Sequence, residues 1–116
     1  MREHERITAS TPVSLRFRSN QVRGNLIDIS LGGLSSYFSR KNTLPQILEK
    51  IVIDLKDDEG QQQVSGIEGF TIRIQAAEAV LDSERIKIAV KFLAMSPEKK
   101  ERLEAFLVSL KTHVAD

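Results

Sequence analysis

Two stretches of the chain carry residue types whose chemistry packing does not explain. In "NLIDISLGGL", residues 25–34, Asp28 and Ser30 interrupt an apolar run that stops at Gly32 and Gly33. Successive strand side chains point to opposite faces, so Asp28 and Ser30 are expected to leave the sheet on one side, with Ile27 and Ile29 turned to the core. Glycine tolerates φ > 0 and lets another group come close to the backbone. Together they make a small polar surface: a carboxylate acceptor, a hydroxyl and exposed amide groups. Asp-x-Ser-x-x-Gly also suits an Asx or Ser turn closing a strand end, and alone it reads more readily that way.

The second stretch is "REHER", residues 2–6. Arg2 and Arg6 are four apart, and each guanidinium presents a planar fork of donors suited to phosphate oxygens or to the O6/N7 edge of guanine. Alone, this stretch reads as a solvated terminus with ordinary surface arginines.

The elements that must position these residues follow from periodicity. Residues 12–18 alternate Val13, Leu15, Phe17 with Ser14, Arg16, Arg18, the pattern of a half-buried strand. A turn at 19–21 leads to a second strand at about 22–30, where Gly24 and Asn25 disturb the alternation as a bulge would. Further strands are expected at 34–38, 51–55, 70–80 (through Phe70, Ile72, Ile74 and Ala76) and 85–92, with turns at "KDDEGQQQ" and "LDSE". The period then changes. Ser96 is placed as an N-cap and Pro97 as the first helical residue, and Leu103, Phe106, Leu107, Leu110 and Val114 follow one helical face to about residue 113. Six short strands and one amphipathic helix point to an antiparallel barrel with a helix packed on it.

Composition narrows the function classes. The chain has 116 residues, 41% hydrophobic and 28% charged, which fits one globular domain with a real core. It has no cysteine, and its two histidines, His4 and His113, lack ligand-spaced partners, so no metal site is expected. No apolar run approaches the ~20 residues of a membrane span, and "MREHERITAS" lacks the apolar middle of a signal peptide, so a cytoplasmic protein is expected. The net charge of +1 and five phenylalanines on core parities argue against a nucleic-acid groove, which needs a basic track with stacking aromatics. The basic residues are nevertheless uneven: residues 1–23 hold five arginines against two glutamates. There is no GxGxxG, P-loop, HExxH or GxSxG. "SPEK" at 96–99 matches SxxK formally, but a proline after Ser96 makes helix capping the better account. The chain is expected not to be an enzyme.

The two stretches occur in one order and at one spacing, and together they resemble the PilZ domain family. Its signature is Arg-x-x-x-Arg followed some twenty-odd residues later by Asp/Asn-x-Ser-x-x-Gly, matched here at Arg2 and Arg6, then at Asp28, Ser30 and Gly33. "VKFLAMSPEKKERLEAFL" is similar to the family's last strand running into its C-terminal helix. The resemblance implies a mainly β fold: a six-stranded antiparallel, split β-barrel at 11–116 with a C-terminal helix, preceded by an arginine arm at 1–10 acting as a switch. It implies a receptor for the bacterial second messenger cyclic di-GMP, bound by Arg2, Arg6, Asp28, Ser30 and Gly33, with Gly32 as a further candidate. Asp28 would accept the N1–H and N2–H of guanine, while the arginines take phosphate oxygens or purine faces. The signal would pass by ordering of the arm to an effector protein of motility, pilus or exopolysaccharide machinery, from a monomer or a ligand-linked dimer. The alternative is a PilZ-like interaction adaptor that binds no nucleotide.

Overall fold

A computed structural model describes residues 7–8, 11–56, 63–76 and 85–114. Seven strand segments are followed by one helix: β1 (Ile7–Thr8), β2 (Pro12–Phe17), β3 (Asn20–Ile29), β4 (Gly33–Ser39), β5 (Lys50–Lys56), β6 (Gln63–Ala76), β7 (Arg85–Phe92) and α1 (Pro97–Val114). Six of them close a barrel in the order β3-β2-β5-β6-β7-β4, with β4 returning to β3, and every pairing is antiparallel. Closure leaves no open edge between first and last strands. β1 is a short addition that pairs with β3 at Asp28 and Ile29, beyond the reach of β2, which ends its pairing at Asn25.

Where the sequence alternates cleanly, the structure follows it. Val13, Leu15 and Phe17 fill the interior from β2, and Ile86, Ile88, Val90 and Phe92 fill it from β7. Four of the five phenylalanines, Phe17, Phe38, Phe92 and Phe106, are buried, as core side chains rather than stacking platforms. Helix α1 begins as its residues require. The Ser96 hydroxyl accepts the Lys99 N–H at 3.2 Å, and Pro97, which has no N–H to satisfy, takes the first helical position. Leu103, Phe106, Leu107 and Leu110 lie buried on one face, packed against the barrel, while the Val114 side chain falls outside the described residues. Burying each such side chain contributes about 1.5–3 kcal/mol, so the helix is held by its apolar face. The exposed Glu98–Arg102 pair at 3.4 Å adds little.

The differences from the expected strands trace to β-bulges, each adding a residue that reverses the side-chain parity after it. In β3 the irregularity lies between Leu26 and Asp28, not at Gly24 and Asn25, which pair regularly with Val13 and Pro12. Leu26 and Ile29 are therefore the buried pair, and Ile27 is only half-buried. In β6, Ser65 and Gly66 together oppose Asp54. Gly66 takes φ +74, its N–H donates to an Asp54 carboxylate oxygen at 3.0 Å, and its carbonyl accepts the Lys99 ammonium at 2.7 Å. This bulge hides the first half of β6 from a reading by alternation, although Val64 and Ile67 are both buried. Farther along β6, Ile72 is the extra residue. Thr71 just before it is fixed inward by the 46–49 loop. Its N–H donates to Glu49, its carbonyl accepts from Leu48, and its hydroxyl donates to Gln46. Ile72 is thus turned outward and is 47% exposed, contrary to its expected core parity.

The first turn also sits one residue earlier than expected, at Arg18–Ser19, with Asn20 and Gln21 already in β3. The expected turns over 57–62 and 81–84, and the extension of β6 through 77–80, fall outside the described residues.

Candidate functional site

The Asp-x-Ser-x-x-Gly segment forms the end of β3, a tight connection and the start of β4. Asp28 is half-buried at the rim of a surface cavity of about 240 Å³, bordered also by Ser35, Ile72, Arg73, Lys87 and Ala89. It is the one residue of the segment that faces this cavity. On one side it pairs with Thr8 of β1, on the other with Ser35 of β4.

Ser30 is placed differently from the expectation. It lies just past the end of β3 at Ile29, where the chain turns, and it is only 3% exposed. Its hydroxyl accepts the Gly32 N–H at 3.1 Å, and its own N–H donates to the Gly33 carbonyl at 2.9 Å. These bonds are the Ser turn that the segment suggests when read alone. The glycines do not use left-handed backbone either, because the positive-φ glycine among the described residues is Gly66. Gly33 is required for another reason: a Cβ there would sit 2.3 Å from the Val90 carbonyl oxygen, where β4 passes β7. Gly32 lends its carbonyl to the Phe92 N–H at 2.9 Å, extending the same seam.

Arg2 and Arg6 lie outside the described residues. What the structure does fix is their point of attachment. Ile7 is buried and paired opposite Ile29, and Thr8 opposite Asp28, so the chain enters the barrel beside the second motif.

The rest of the cavity lies outside the two motifs. Asp28, Ser35, Ala89 and Arg73 are successive cross-strand partners on β3, β4, β7 and β6, so they form one lateral row. Tyr37 and Lys87 pair in the next row, and Arg85 lies over the Tyr37 ring at 4.5 Å. The signal was available in "RIKIAVK": its outward positions are Arg85, Lys87, Ala89 and Lys91, three cations around one alanine. The approach of Arg73 was not available, because the Ile72 bulge decides it.

Comparison with known proteins agrees with this architecture. The PilZ domain family model matches residues 1–109. A search of curated proteins gave no match. Among solved structures, the chain is similar to the PilZ domain with c-di-GMP of YcgR from Escherichia coli, with a TM-score of 0.79, 22% identity, and 97% of this chain and 93% of that chain covered. It is also similar to the K. pneumonia MrkH–c-di-GMP complex, with a TM-score of 0.75, 17% identity, and 99% and 54% coverage. A third is the PilZ domain of CeSA from a cellulose-synthesizing bacterium, with a TM-score of 0.68, 18% identity, and 92% and 98% coverage. The chain thus spans about half the MrkH chain and most of the two isolated domains. Among the described residues, no helix is long and apolar enough to cross a membrane.

Proposed function

The chain belongs to the PilZ domain family, and from that premise we propose that it is a cyclic di-GMP receptor rather than an enzyme. The ligand is held between the arm bearing Arg2 and Arg6 and the segment bearing Asp28, Ser30 and Gly33. The observation that carries this reading is the pairing of β1: Ile7 opposite Ile29 and Thr8 opposite Asp28. Covalent geometry keeps the Arg6 Cα about 3.8 Å from that of Ile7, so the two motif halves are joined at one spot although they are far apart in sequence.

The roles follow from chemistry and position. Asp28, at the cavity rim, accepts the N1–H and N2–H of a guanine as a fork. Arg2 and Arg6 take phosphate oxygens or stack on purine faces. Ser30 shapes the turn that sets Asp28 at the rim, through the bond its hydroxyl accepts from Gly32. Gly33 keeps β4 against β7, so that Asp28 and Ser35 stay at the cavity. Binding draws the arm onto the barrel, and a partner protein reads the changed surface. E. coli YcgR and K. pneumonia MrkH have been solved with c-di-GMP, which supports the ligand class.

Calorimetric titration with cyclic di-GMP tests the reading. Arg6→Ala and Asp28→Ala each lose a charge-assisted contact and weaken binding by roughly 1.5–3 kcal/mol. Unchanged affinity in both would remove the site assignment. A nucleotide-free adaptor draws its support from Ser30, whose burial and turn bond need no ligand; it predicts no heat with any cyclic dinucleotide.

A further inference from the structure

We propose that the ligand footprint runs beyond the two motifs, across the outer wall of the barrel, to a second set of contacts at Arg73 and Lys87 over a floor made by Ser35 and Ala89. The inference rests on the cyclic di-GMP reading above and extends that site.

The row Asp28–Ser35–Ala89–Arg73 crosses four strands. Three inter-strand spacings of about 4.8 Å make it roughly 14 Å long, a span that calls for a ligand with two recognition ends. Its two middle residues have the short side chains that leave the wall recessed, and the cavity lies there. The ends are chemically opposite. Asp28 offers acceptors, while Arg73 offers a fork of donors, with the Lys87 ammonium one row away on the same cavity. Neither Arg73 nor Lys87 makes an ion pair among the described residues. Elsewhere on the barrel, Arg16, Arg18 and Lys50 are each matched to a carboxylate. Arg23 and Lys91 resemble Arg73 and Lys87 in having no ion pair among the described residues, but they do not border this cavity.

A molecule that presents N–H donors at one end and an anionic phosphodiester towards the other matches this polarity. Asp28 takes a guanine edge, and Arg73 with Lys87 takes a phosphate that the arm does not cover. Ile72 adds an apolar lip. The bulge turns it out beside Arg73, where its aliphatic surface can cover a purine face that would otherwise stay in water.

The test is titration of the full chain with cyclic di-GMP at low and high salt, using Arg73→Ala, Lys87→Ala and Ala89→Leu, with Asp28→Ala marking the motif end. Melting temperatures confirm that each variant is folded. Arg73 is exposed and Lys87 half-exposed, so truncating either leaves the fold intact. Arg73→Ala and Lys87→Ala are expected to weaken binding about tenfold each and to flatten its salt dependence, as loss of a phosphate contact does. Ala89→Leu fills the floor and weakens binding at both salt concentrations. If Asp28→Ala weakens binding while the other three variants match the wild type, the extended footprint is overturned and the receptor reading stands. If the wild type itself does not bind, both fall.

Discussion

Among the described residues, two aspartates occupy outward positions on the barrel, and their surroundings divide its wall into two regions. Asp54 on β5 takes both Nε and Nη2 of Arg16, at 2.8 and 3.2 Å, and the Gly66 N–H at 3.0 Å. Gly66 in turn holds Lys99 of α1. That region uses its charges internally, tying β2, β5, β6 and the helix together. Asp28 on β3 lies at the rim of a cavity that Arg73 and Lys87 also border, over a floor of small residues. Both regions contain a β-bulge, with opposite consequences. At Ser65–Gly66 the bulge turns a backbone N–H onto a carboxylate and stiffens the sheet; at Ile72 it turns an apolar side chain outward beside the cavity. The same sheet irregularity thus ties a backbone N–H to a carboxylate in one region and lines a cavity in the other.

Exchanging the two aspartates' roles is the strongest way to break the comparison. Asp28→Ala is expected to act mainly on the ligand, weakening cyclic di-GMP binding by about 1.5–3 kcal/mol. Asp54→Ala is expected to do the reverse, lowering stability by about 1–3 kcal/mol in denaturant titration while ligand affinity is retained. Equal effects of both on both measurements would erase the distinction.

The glycines sharpen it next. Gly33→Ala drives a Cβ into the Val90 carbonyl, and overpacking of this kind costs about 1–3 kcal/mol. Because β4 carries Ser35, the same change should also disturb the cavity. Gly66→Ala makes no clash, only an ordinary contact with the Lys99 ammonium at 3.5 Å, but must hold φ +74, which costs about 1–2 kcal/mol. It should leave the ligand site untouched. Affinity and stability measured on the pair separate the cases: Gly33→Ala moves both, Gly66→Ala only stability.

How far all this was legible in the sequence depends on where parity survives. β2 and β7 keep a strict period of two, and Ser96–Pro97 announces α1, so the barrel and its helix could be read directly. Of the second motif, Asp28 and Ile29 lie as alternation suggests; Ile27 does not, because the bulge there is set by pairing with β4 at Ser36 and Ser35. Ser30 is buried because the strand ends at Ile29 and the chain turns around its hydroxyl. Ile72 was misassigned to the core for the same reason: the 46–49 loop that fixes Thr71 is remote in sequence. The start of β6 was missed because Gly66 breaks the alternation between Val64 and Ile67.

A smaller effect lies in the core between the two regions. The Ser36 hydroxyl is fully buried and, among the described residues, has no hydrogen-bond partner. Ser36→Ala removes that desolvated group and should raise stability by up to about 1 kcal/mol, read as a rise in denaturation midpoint with affinity unchanged. A fall in stability would mean that the hydroxyl has a structural role.

The smallest expected effect concerns the structural region alone. The Gln46 N–H and then the Arg18 guanidinium hold the Glu49 carboxyl below its ordinary value of 4.5. A depressed carboxyl stabilises the fold above its unfolded pKa, and that contribution is lost as pH falls through the depressed folded value. Melting temperature should therefore drop below about pH 4.5, and Glu49→Gln should make the drop shallower. A pH profile identical to that of the wild type would contradict this.

The central claim is that the cavity beside Asp28 receives a cyclic dinucleotide carrying guanine. Calorimetric titration of the full chain with cyclic di-GMP, with cyclic di-AMP and GTP as controls, tests it most directly. Saturable heat is expected with cyclic di-GMP, with affinity strongly reduced in Asp28→Ala, and none with cyclic di-AMP, whose adenine presents no N1–H/N2–H pair to a carboxylate. Equal binding of cyclic di-AMP, or no heat with cyclic di-GMP, would contradict it.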